Sequence, residues 1–258
     1  MVSELQITII GHATTLINFD GQRILTDPWF NDPIHILCRH KYPLGIPLDK
    51  LPPIDLIVIS HRHKDHFDIR AIERINHSAT VIMPSGETSH IERLGFYQVK
   101  GLDFWESQEI GGLRITALPA VHPIRENCYL FEKDEKSVFF GGDTQLFPEM
   151  TEIGNKFSIK VALLPISGMR WFQGRFGLIR RICMGPSEAA EAALRLKARV
   201  VIPIHYHITC FIPFYNQFIT PGTPQKFREQ MRERAPQVQV AVLNTGEVWE
   251  DNLQEDRL

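Results

Sequence analysis

Short apolar segments separated by glycine and aspartate turns fill the first third of the chain and predict a meander of β-strands. Residues 5–10, 15–19 and 23–26 are rich in the β-branched and aromatic residues that strands favour. Asp20-Gly21, between the second and third segments, is typical of a two-residue hairpin turn, because glycine accepts the positive φ that such a turn needs. Residues 56–60 form an almost continuous apolar run, which is typical of a strand buried on both faces.

Further along the chain, apolar strand patterns alternate with helical ones. We predict strands around residues 80–83, 113–118, 128–131, 137–140, 161–164, 200–203, 238–243 and 247–249, and helices over about 68–76, 86–94, 186–197 and 223–234. Asp68 and Thr223 are residue types that cap helices, and Pro186 suits the first turn of one. This order predicts an α/β protein with mixed sheets buried by helices. No linker interrupts the pattern, so we expect a single domain over residues 1–258.

Composition excludes some classes of protein. Of the 258 residues, 43% are hydrophobic and the formal net charge is -2, so no global attraction to nucleic acid is expected. The chain contains no run of about 18 apolar residues, so we expect no membrane-spanning segment. The amino-terminal residues lack the basic and then apolar pattern of a secretory signal, so we expect a cytoplasmic protein. Cys38, Cys128, Cys183 and Cys210 form no CxxC motif, and we expect four free, mostly buried thiols.

The segment HRHKDH at residues 61–66 carries the densest candidate chemistry. His61 and His63 are two residues apart, so both point to one side of an extended backbone. Asp65 and His66 fall where the chain turns into the next helix and can aim at a second point nearby. Eleven histidines in the whole chain make three within six residues improbable by chance. Neutral imidazoles with a carboxylate suit zinc, manganese or ferrous iron.

His122, Asp143 and His205 each follow another apolar segment. Polar residues of ligand type therefore stand at four predicted strand ends, where open α/β sheets usually carry their sites. Gly141-Gly142 allows the backbone to turn tightly before Asp143. Each of the three could equally be a packed residue on its own, but together with the first cluster they predict one metal centre.

The motifs HRHKDH, AVH, GGDT and PIHY resemble the metallo-β-lactamase superfamily over nearly the whole chain. IGHAT at residues 10–14 and LTDPWF at 25–30 resemble the branch that contains L-ascorbate 6-phosphate lactonase and the phospholipase D that hydrolyses N-acyl phosphatidylethanolamines. The resemblance implies a four-layer αββα sandwich, in which two mixed β-sheets are flanked by helices. It also implies one metal site formed by His61, His63 and His122, a second formed by Asp65, His66 and His205, and Asp143 as the bridge between them.

Two further residues match the family pattern around that centre. Asp27 resembles the family's buried aspartate, which accepts a hydrogen bond from a metal-bound histidine. His12 either supports a ligand, touches the substrate or is simply a buried histidine. The resemblance implies two divalent metal ions, zinc first and manganese or iron as alternatives. A hydroxide that bridges them would be the nucleophile, with Asp65 and Asp143 as the catalytic carboxylates.

Residues 169–182 and 210–218 combine aromatic side chains with arginines and are candidates for a substrate pocket. Arg170, Trp171, Phe172 and Phe214 could hold a phosphate ester with an apolar tail. The same segments could equally pack the core or contact a membrane or a second subunit of a homo-oligomer. His207 is either a pocket donor or a packed residue.

The arginines slightly favour a phosphodiester over a lactone as the bond hydrolysed in a small-molecule or lipid-like substrate. The alternative is a non-catalytic metal-binding interaction module with the same fold.

Overall fold

Two seven-stranded sheets form the centre of the computed structural model, which describes residues 4–34, 38–173, 178–211, 216 and 219–251. In chain order the strands are β1 (Leu5–Gly11), β2 (Thr14–Phe19), β3 (Gln22–Thr26), β4 (Cys38–His40), β5 (Leu56–Val58), β6 (Thr80–Pro84), β7 (Val99–Leu102), β8 (Ser107–Ile110), β9 (Leu113–Leu118), β10 (Cys128–Lys133), β11 (Lys136–Phe140), β12 (Val161–Pro165), β13 (Arg170–Gln173), β14 (Leu178–Arg181), β15 (Val200–Ile204), β16 (Ile208–Cys210), β17 (Gln239–Val240) and β18 (Val248–Glu250). The α-helices are α1 (Ile69–Ile72), α2 (Ser89–Glu92), α3 (Met150–Lys156), α4 (Pro186–Arg195) and α5 (Pro224–Arg234), and a short 3-10 helix covers Leu48–Lys50.

Both large sheets mix antiparallel and parallel pairing. The first has the strand order β18-β1-β2-β3-β5-β6-β7, with an antiparallel meander followed by parallel strands from β3 onward. The second has the order β17-β15-β12-β11-β10-β9-β8 and changes from antiparallel to parallel at β11. The predicted hairpin between β2 and β3 is confirmed, because Phe19 pairs with Gln22 across a turn in which Asp20 and Gly21 both have positive φ.

Apolar side chains from both sheets meet between them. Ile7, Val58 and Ile82 of the first sheet belong to one buried cluster with Phe131 and Phe140 of the second. Burial of a side chain of this size contributes about 1.5–3 kcal/mol. Side chains alternate between the two faces of each antiparallel strand, and the inward faces of the two sheets pack against each other in this apolar layer.

Helices cover the outer face of each sheet. Helices α4 and α5 bury Ala189, Ala193 and Phe227 in a cluster with the second sheet. Helices α1 and α2 bury Ile72 and Ile91 in a cluster with the first sheet. The order helix, sheet, sheet, helix confirms the αββα sandwich of two mixed sheets. None of the helices in the described part of the chain has the length and apolar character needed to cross a membrane.

The helix starts agree with the sequence better than the helix ends do. The Asp68 side chain accepts a hydrogen bond from the Ala71 backbone N–H, and Thr223 caps α5 in the same way, as predicted. Helix α1 ends at Ile72 instead of near residue 76, and the Asn76 side chain is hydrogen-bonded to the backbone N–H and carbonyl of Ile54. Local propensity carries no sign of this contact with another segment.

The expectation of four free thiols is wrong for two of them. Cys38 and Cys210 face each other in the antiparallel pair of β4 and β16 and form a disulfide across a sequence separation of 172 residues. Cys128 and Cys183 are free and buried, as expected. Motif spacing could not reveal the bond, because the pairing of two distant short strands brings the sulfurs together.

Candidate metal centre

Five strand ends from the two large sheets converge on one buried cluster of histidines and aspartates. Three residues of this region, His12, Asp27 and His205, have φ values of 53°, 37° and 59°. Residues other than glycine rarely adopt this left-handed conformation, which costs about 1–3 kcal/mol and is concentrated at functional sites. In chain order, His12 follows β1, the segment from His61 to His66 follows β5, His122 follows β9, Asp143 follows β11 and His205 follows β15.

The first group of the cluster contains three imidazoles whose nitrogens meet at one point. His61 Nε2 lies 2.9 Å from His63 Nδ1, and His122 Nε2 lies 3.1 Å from the same atom. Two nitrogen ligands of a tetrahedral zinc ion are about 3.3 Å apart, given Zn–N bonds of about 2.0 Å. Asp143 places a carboxylate oxygen within 4.8 Å of all three histidines.

The second group is built around the Asp65 carboxylate. Its Oδ2 atom lies 3.3 Å from His12 Nε2, 3.6 Å from His205 Nε2 and 3.7 Å from His66 Nε2. The family resemblance implies that Asp65, His66 and His205 lie together here. It leaves the place of His12 open, and the structure puts that imidazole inside the group. The signal was available, since His12 also stands at the end of an apolar strand.

Asp143 lies between the two groups. Its Oδ1 atom is 2.7 Å from His205 Nε2 and its Oδ2 atom is 3.6 Å from His66 Nε2. The same carboxylate belongs to the group of His61, His63 and His122. One side chain therefore reaches both groups, which is the arrangement that a bridging ligand requires.

Several of these atoms have no hydrogen-bond partner among the described residues. They are Nε2 of His12, His66 and His205, and Oδ1 of Asp143. The contact of 2.7 Å between His205 and Asp143 lacks the orientation of a hydrogen bond. Each unpaired buried polar atom costs about 1–3 kcal/mol, and a cation placed between them would offset that cost. The residues present therefore fit a divalent metal centre.

Asp27 orients one histidine of each group through hydrogen bonds on the side away from the centre. Its carboxylate accepts hydrogen bonds from His66 Nδ1 at 2.6 Å, from the Ser60 backbone N–H at 2.7 Å and from Ser60 Oγ at 2.6 Å. Because the Ser60 hydroxyl donates to Asp27, its oxygen accepts from His61 Nδ1 at 3.0 Å. The Nε2 atoms of His61 and His66 therefore face the centre, one in each group.

The remaining histidines are oriented in a similar way. His122 Nδ1 lies 3.0 Å from the Ile182 carbonyl oxygen, which can only accept, so the nitrogen donates and Nε2 keeps its lone pair. His205 Nδ1 lies 3.0 Å from Ser167 Oγ. These contacts aim the free nitrogens at the centre, as ligand histidines require.

Burial and neighbouring charges set the ionisation of the centre. Burial lowers the pKa of His61 well below its usual range and that of His63 to about 4, so both imidazoles are neutral at pH 7. Burial also lowers the pKa of His66, but the carboxylates of Asp27, Asp65 and Asp143 outweigh it and raise that pKa. Burial raises the pKa of Asp143, yet His205 and His66 hold it well below its usual range, so this carboxylate is ionised.

Glu126 is a buried part of the site that the sequence analysis missed. Its Oε1 atom accepts a hydrogen bond of 2.5 Å from the Asp143 backbone N–H and lies 3.4 Å from His61 Nδ1. Burial raises the pKa of this carboxyl. Gly142, directly before Asp143, has a φ of 54°. A Cβ there would lie 2.8 Å from the Ser60 Cβ, so only glycine allows the backbone before Asp143 to lie this close to Ser60. The only sequence signal was a carboxylate two residues before the apolar strand β10.

The predicted substrate-pocket residues are placed less closely together. A cavity of about 240 Å³ opens onto the centre, and neither Arg170 nor His207 is among its described lining residues. His207 is buried, and its Nδ1 accepts from the His12 backbone N–H at 3.3 Å. The backbone of Trp171 and Phe172 lies in β13, which forms a hairpin with β14. Phe214 lies outside the described residues.

Comparison with known proteins agrees with this geometry. A metal-dependent hydrolase of Methanopyrus kandleri is 29% identical over 259 residues, which cover 95% of this chain and all of the relative. A metal-dependent hydrolase of Rubrobacter xylanophilus is also 29% identical and covers 96% of this chain and 97% of its own. Both similarities extend over essentially the whole length of each protein.

Solved structures show the same architecture. The metallo hydrolase Igni18 of Ignicoccus hospitalis has a TM-score of 0.77 at 26% identity, covering 98% of this chain and 100% of its own. An isothiocyanate hydrolase from Delia radicum gut bacteria has a TM-score of 0.75 at 18% identity, covering 95% and 98%, which is a likeness of fold alone. The family model for the beta-lactamase superfamily domain matches residues 22–206. The chain therefore belongs to the β-lactamase superfamily and has its metallo-β-lactamase fold.

Proposed function

We propose that the protein is a hydrolase that uses two divalent metal ions to cleave a phosphodiester or a lactone. The first ion would be held by His61, His63 and His122. The second would be held by Asp65, His66 and His205. Asp143 would bridge the two ions. Imidazole and carboxylate donors in these numbers suit zinc first, with manganese and iron as alternatives.

One observation carries this proposal: two groups of buried ligand atoms share the Asp143 carboxylate. A single structural ion would need only one such group. Nε2 of His66 and His205 is buried without a hydrogen bond among the described residues, and a cation between the carboxylates and these nitrogens would supply the missing partner. The names of the relatives, which are metal-dependent hydrolases, support the same class of activity.

Divalent ions bound by these residues would lower the pKa of water and polarise the oxygen of the bond to be cleaved. The chain's own residues orient the ligand side chains and line the cavity. Asp27 fixes the imidazoles of His61 and His66, directly or through Ser60. The Asp65 carboxylate lines the cavity, and in this proposal it would accept the proton released on hydrolysis.

The proposal is tested by metal analysis together with hydrolysis assays. Purified protein is loaded with zinc, manganese or ferrous iron, and its metal content is measured by elemental analysis. We expect about two ions per chain, hydrolysis of lactones or phosphodiesters, and loss of activity on chelation that added metal reverses. Two bound ions without any hydrolysis would instead favour the interaction module. A chain that binds no metal would overturn both.

We further propose His12 as an added ligand of the second ion, because its Nε2 is buried, unpaired among the described residues and 3.3 Å from Asp65 Oδ2. His12→Phe keeps a ring packed against His205 and removes the nitrogens. We expect one of the two ions to bind about tenfold more weakly. Chelator competition measures this, with His77→Gln as the control. Unchanged affinity for both ions would place His12 outside the coordination sphere.

A further inference from the structure

The cavity beside the metal centre has a polar floor and apolar walls. His63, Asp65 and Asp143 form the floor, so a molecule in the cavity lies against the proposed ligands. The walls are almost entirely hydrocarbon and sulfur. Most of the described wall is formed by Ile34, Met169, Ile182, Ile208 and Ile219 together with the Cys38–Cys210 disulfide.

These wall residues belong to one buried apolar cluster that also contains Trp29. The cluster is separate from the layers that pack the two large sheets against each other and against the helices. The disulfide joins β4 to β16 and so fixes two sides of the cavity relative to each other. The walls are therefore a local structure built around the cavity.

The two polar side chains on the described walls are already occupied. Asn216 Oδ1 accepts from the Cys210 backbone N–H at 2.7 Å, and Asn216 Nδ2 is hydrogen-bonded to Thr209 Oγ1 and to the Cys210 carbonyl, both at 3.0 Å. Thr220 Oγ1 donates to the Asn216 carbonyl at 3.1 Å. Neither side chain offers a ligand its full hydrogen-bonding capacity.

The described lining of the cavity carries no positively charged side chain, and the arginines next to it in sequence contact other groups. No lysine or arginine is among the described lining residues. Arg181, next to the wall residue Ile182, forms an ion pair of 2.7 Å with Glu188. Arg39, next to Cys38, lies 4.9 Å from the centre of the Phe211 ring. The described walls would thus leave an anionic or sugar-like group without partners, which is costly.

We infer that the cavity binds a short, uncharged aliphatic substituent of the substrate while the reacting group lies on the metal centre. The inference rests on the proposed function. The cavity holds about eight groups of the size of a water molecule, at roughly 30 Å³ each. Because the reacting group takes up part of this space, the aliphatic substituent is limited to at most about six carbons. From the described lining, we therefore expect polar sugar phosphates and long-chain phospholipids to be poor substrates.

An alkyl lactone and an alkyl phosphodiester both present this chemistry. In either case the water oxygen bonds to the carbonyl carbon or to phosphorus, and the bond from that atom to the leaving oxygen breaks. The leaving oxygen keeps the electron pair and takes one proton of the water, and the second proton goes to Asp65 and then to solvent. No oxidant or reductant is needed.

Two matched substrate series test the inference with the metal-loaded full chain. One consists of γ-lactones whose alkyl side chain grows from methyl to octyl, and the other of alkyl 4-nitrophenyl phosphates with the same alkyl groups. We expect kcat/KM to rise about fourfold per methylene and to level off at or before about six carbons in whichever series is cleaved. The lactone and phosphodiester arms also identify the reacting group.

Variants at Ile219 localise the effect, because this wall residue is not among the proposed ligands. Ile219→Glu places a charge in the wall and is expected to abolish the dependence on chain length. Ile219→Phe keeps the wall apolar and adds three heavy atoms, so the optimum is expected to move to chains shorter by two or three carbons. Val248→Glu puts the same charge on an exposed strand and serves as the control.

The outcomes separate the two proposals. Hydrolysis in either series with a flat chain-length profile overturns the inference and leaves the proposed function standing. Faster hydrolysis of substrates with charged or sugar-like substituents overturns it as well. A metal-loaded protein that cleaves neither series overturns the proposed function itself.

Discussion

Replacing Asp143 by asparagine is expected to lower kcat/KM about a thousandfold and to remove most of the bound metal. This carboxylate is the side chain that reaches both ligand groups, at 2.7 Å from His205 Nε2 and within 4.8 Å of the first-group nitrogens. An amide has no negative charge to hold two cations close together, and a bridging pair contributes several kcal/mol to the stabilisation of the transition state. Metal content and steady-state kinetics measure the two effects.

The fold should survive this substitution. The Asp143 backbone N–H still donates to Glu126, and asparagine is nearly isosteric with aspartate. Asp49→Asn, the same change on the exposed 3-10 helix, is the control and should leave metal content and activity unchanged. Two ions per chain and near-normal kinetics in Asp143→Asn would contradict the bridging role.

Asp27→Asn is expected to weaken metal binding about a hundredfold, although Asp27 itself would touch neither ion. The carboxylate accepts from His66 Nδ1, from the Ser60 backbone N–H and from Ser60 Oγ. An asparagine can accept with one oxygen only, and its amide hydrogens would face a donor. His66 would then turn or change tautomer, and its Nε2 lone pair would no longer face the centre.

Metal affinity measured by chelator competition checks this prediction, and a nitrogen NMR spectrum of the histidine side chains reports which tautomer is present. Asp55→Asn is the matched control, because Asp55 accepts a backbone N–H from Arg23 on the same sheet but faces solvent. If Asp27→Asn bound both ions normally, the hydrogen bonds around it would be structural only.

The sequence by itself determined the local chemistry of the site. Alternation of apolar and polar residues identified the main strands, and ligand-type residues directly after them marked the strand ends. The hairpin at Asp20-Gly21 and the helix caps at Asp68 and Thr223 were also predictable. These features depend on backbone conformations and hydrogen bonds between residues close in sequence, so short-range pattern carries the information.

Only the tertiary structure decided how distant residues share the centre. It brought His12 next to Asp65, put the buried carboxylate of Glu126 beside His61 and joined Cys38 to Cys210. The apolar walls of the cavity arise in the same way, from segments that the chain separates by more than a hundred residues. Strand pairing and sheet packing set these distances. Because they depend on contacts between remote segments, no local pattern in the sequence encodes them.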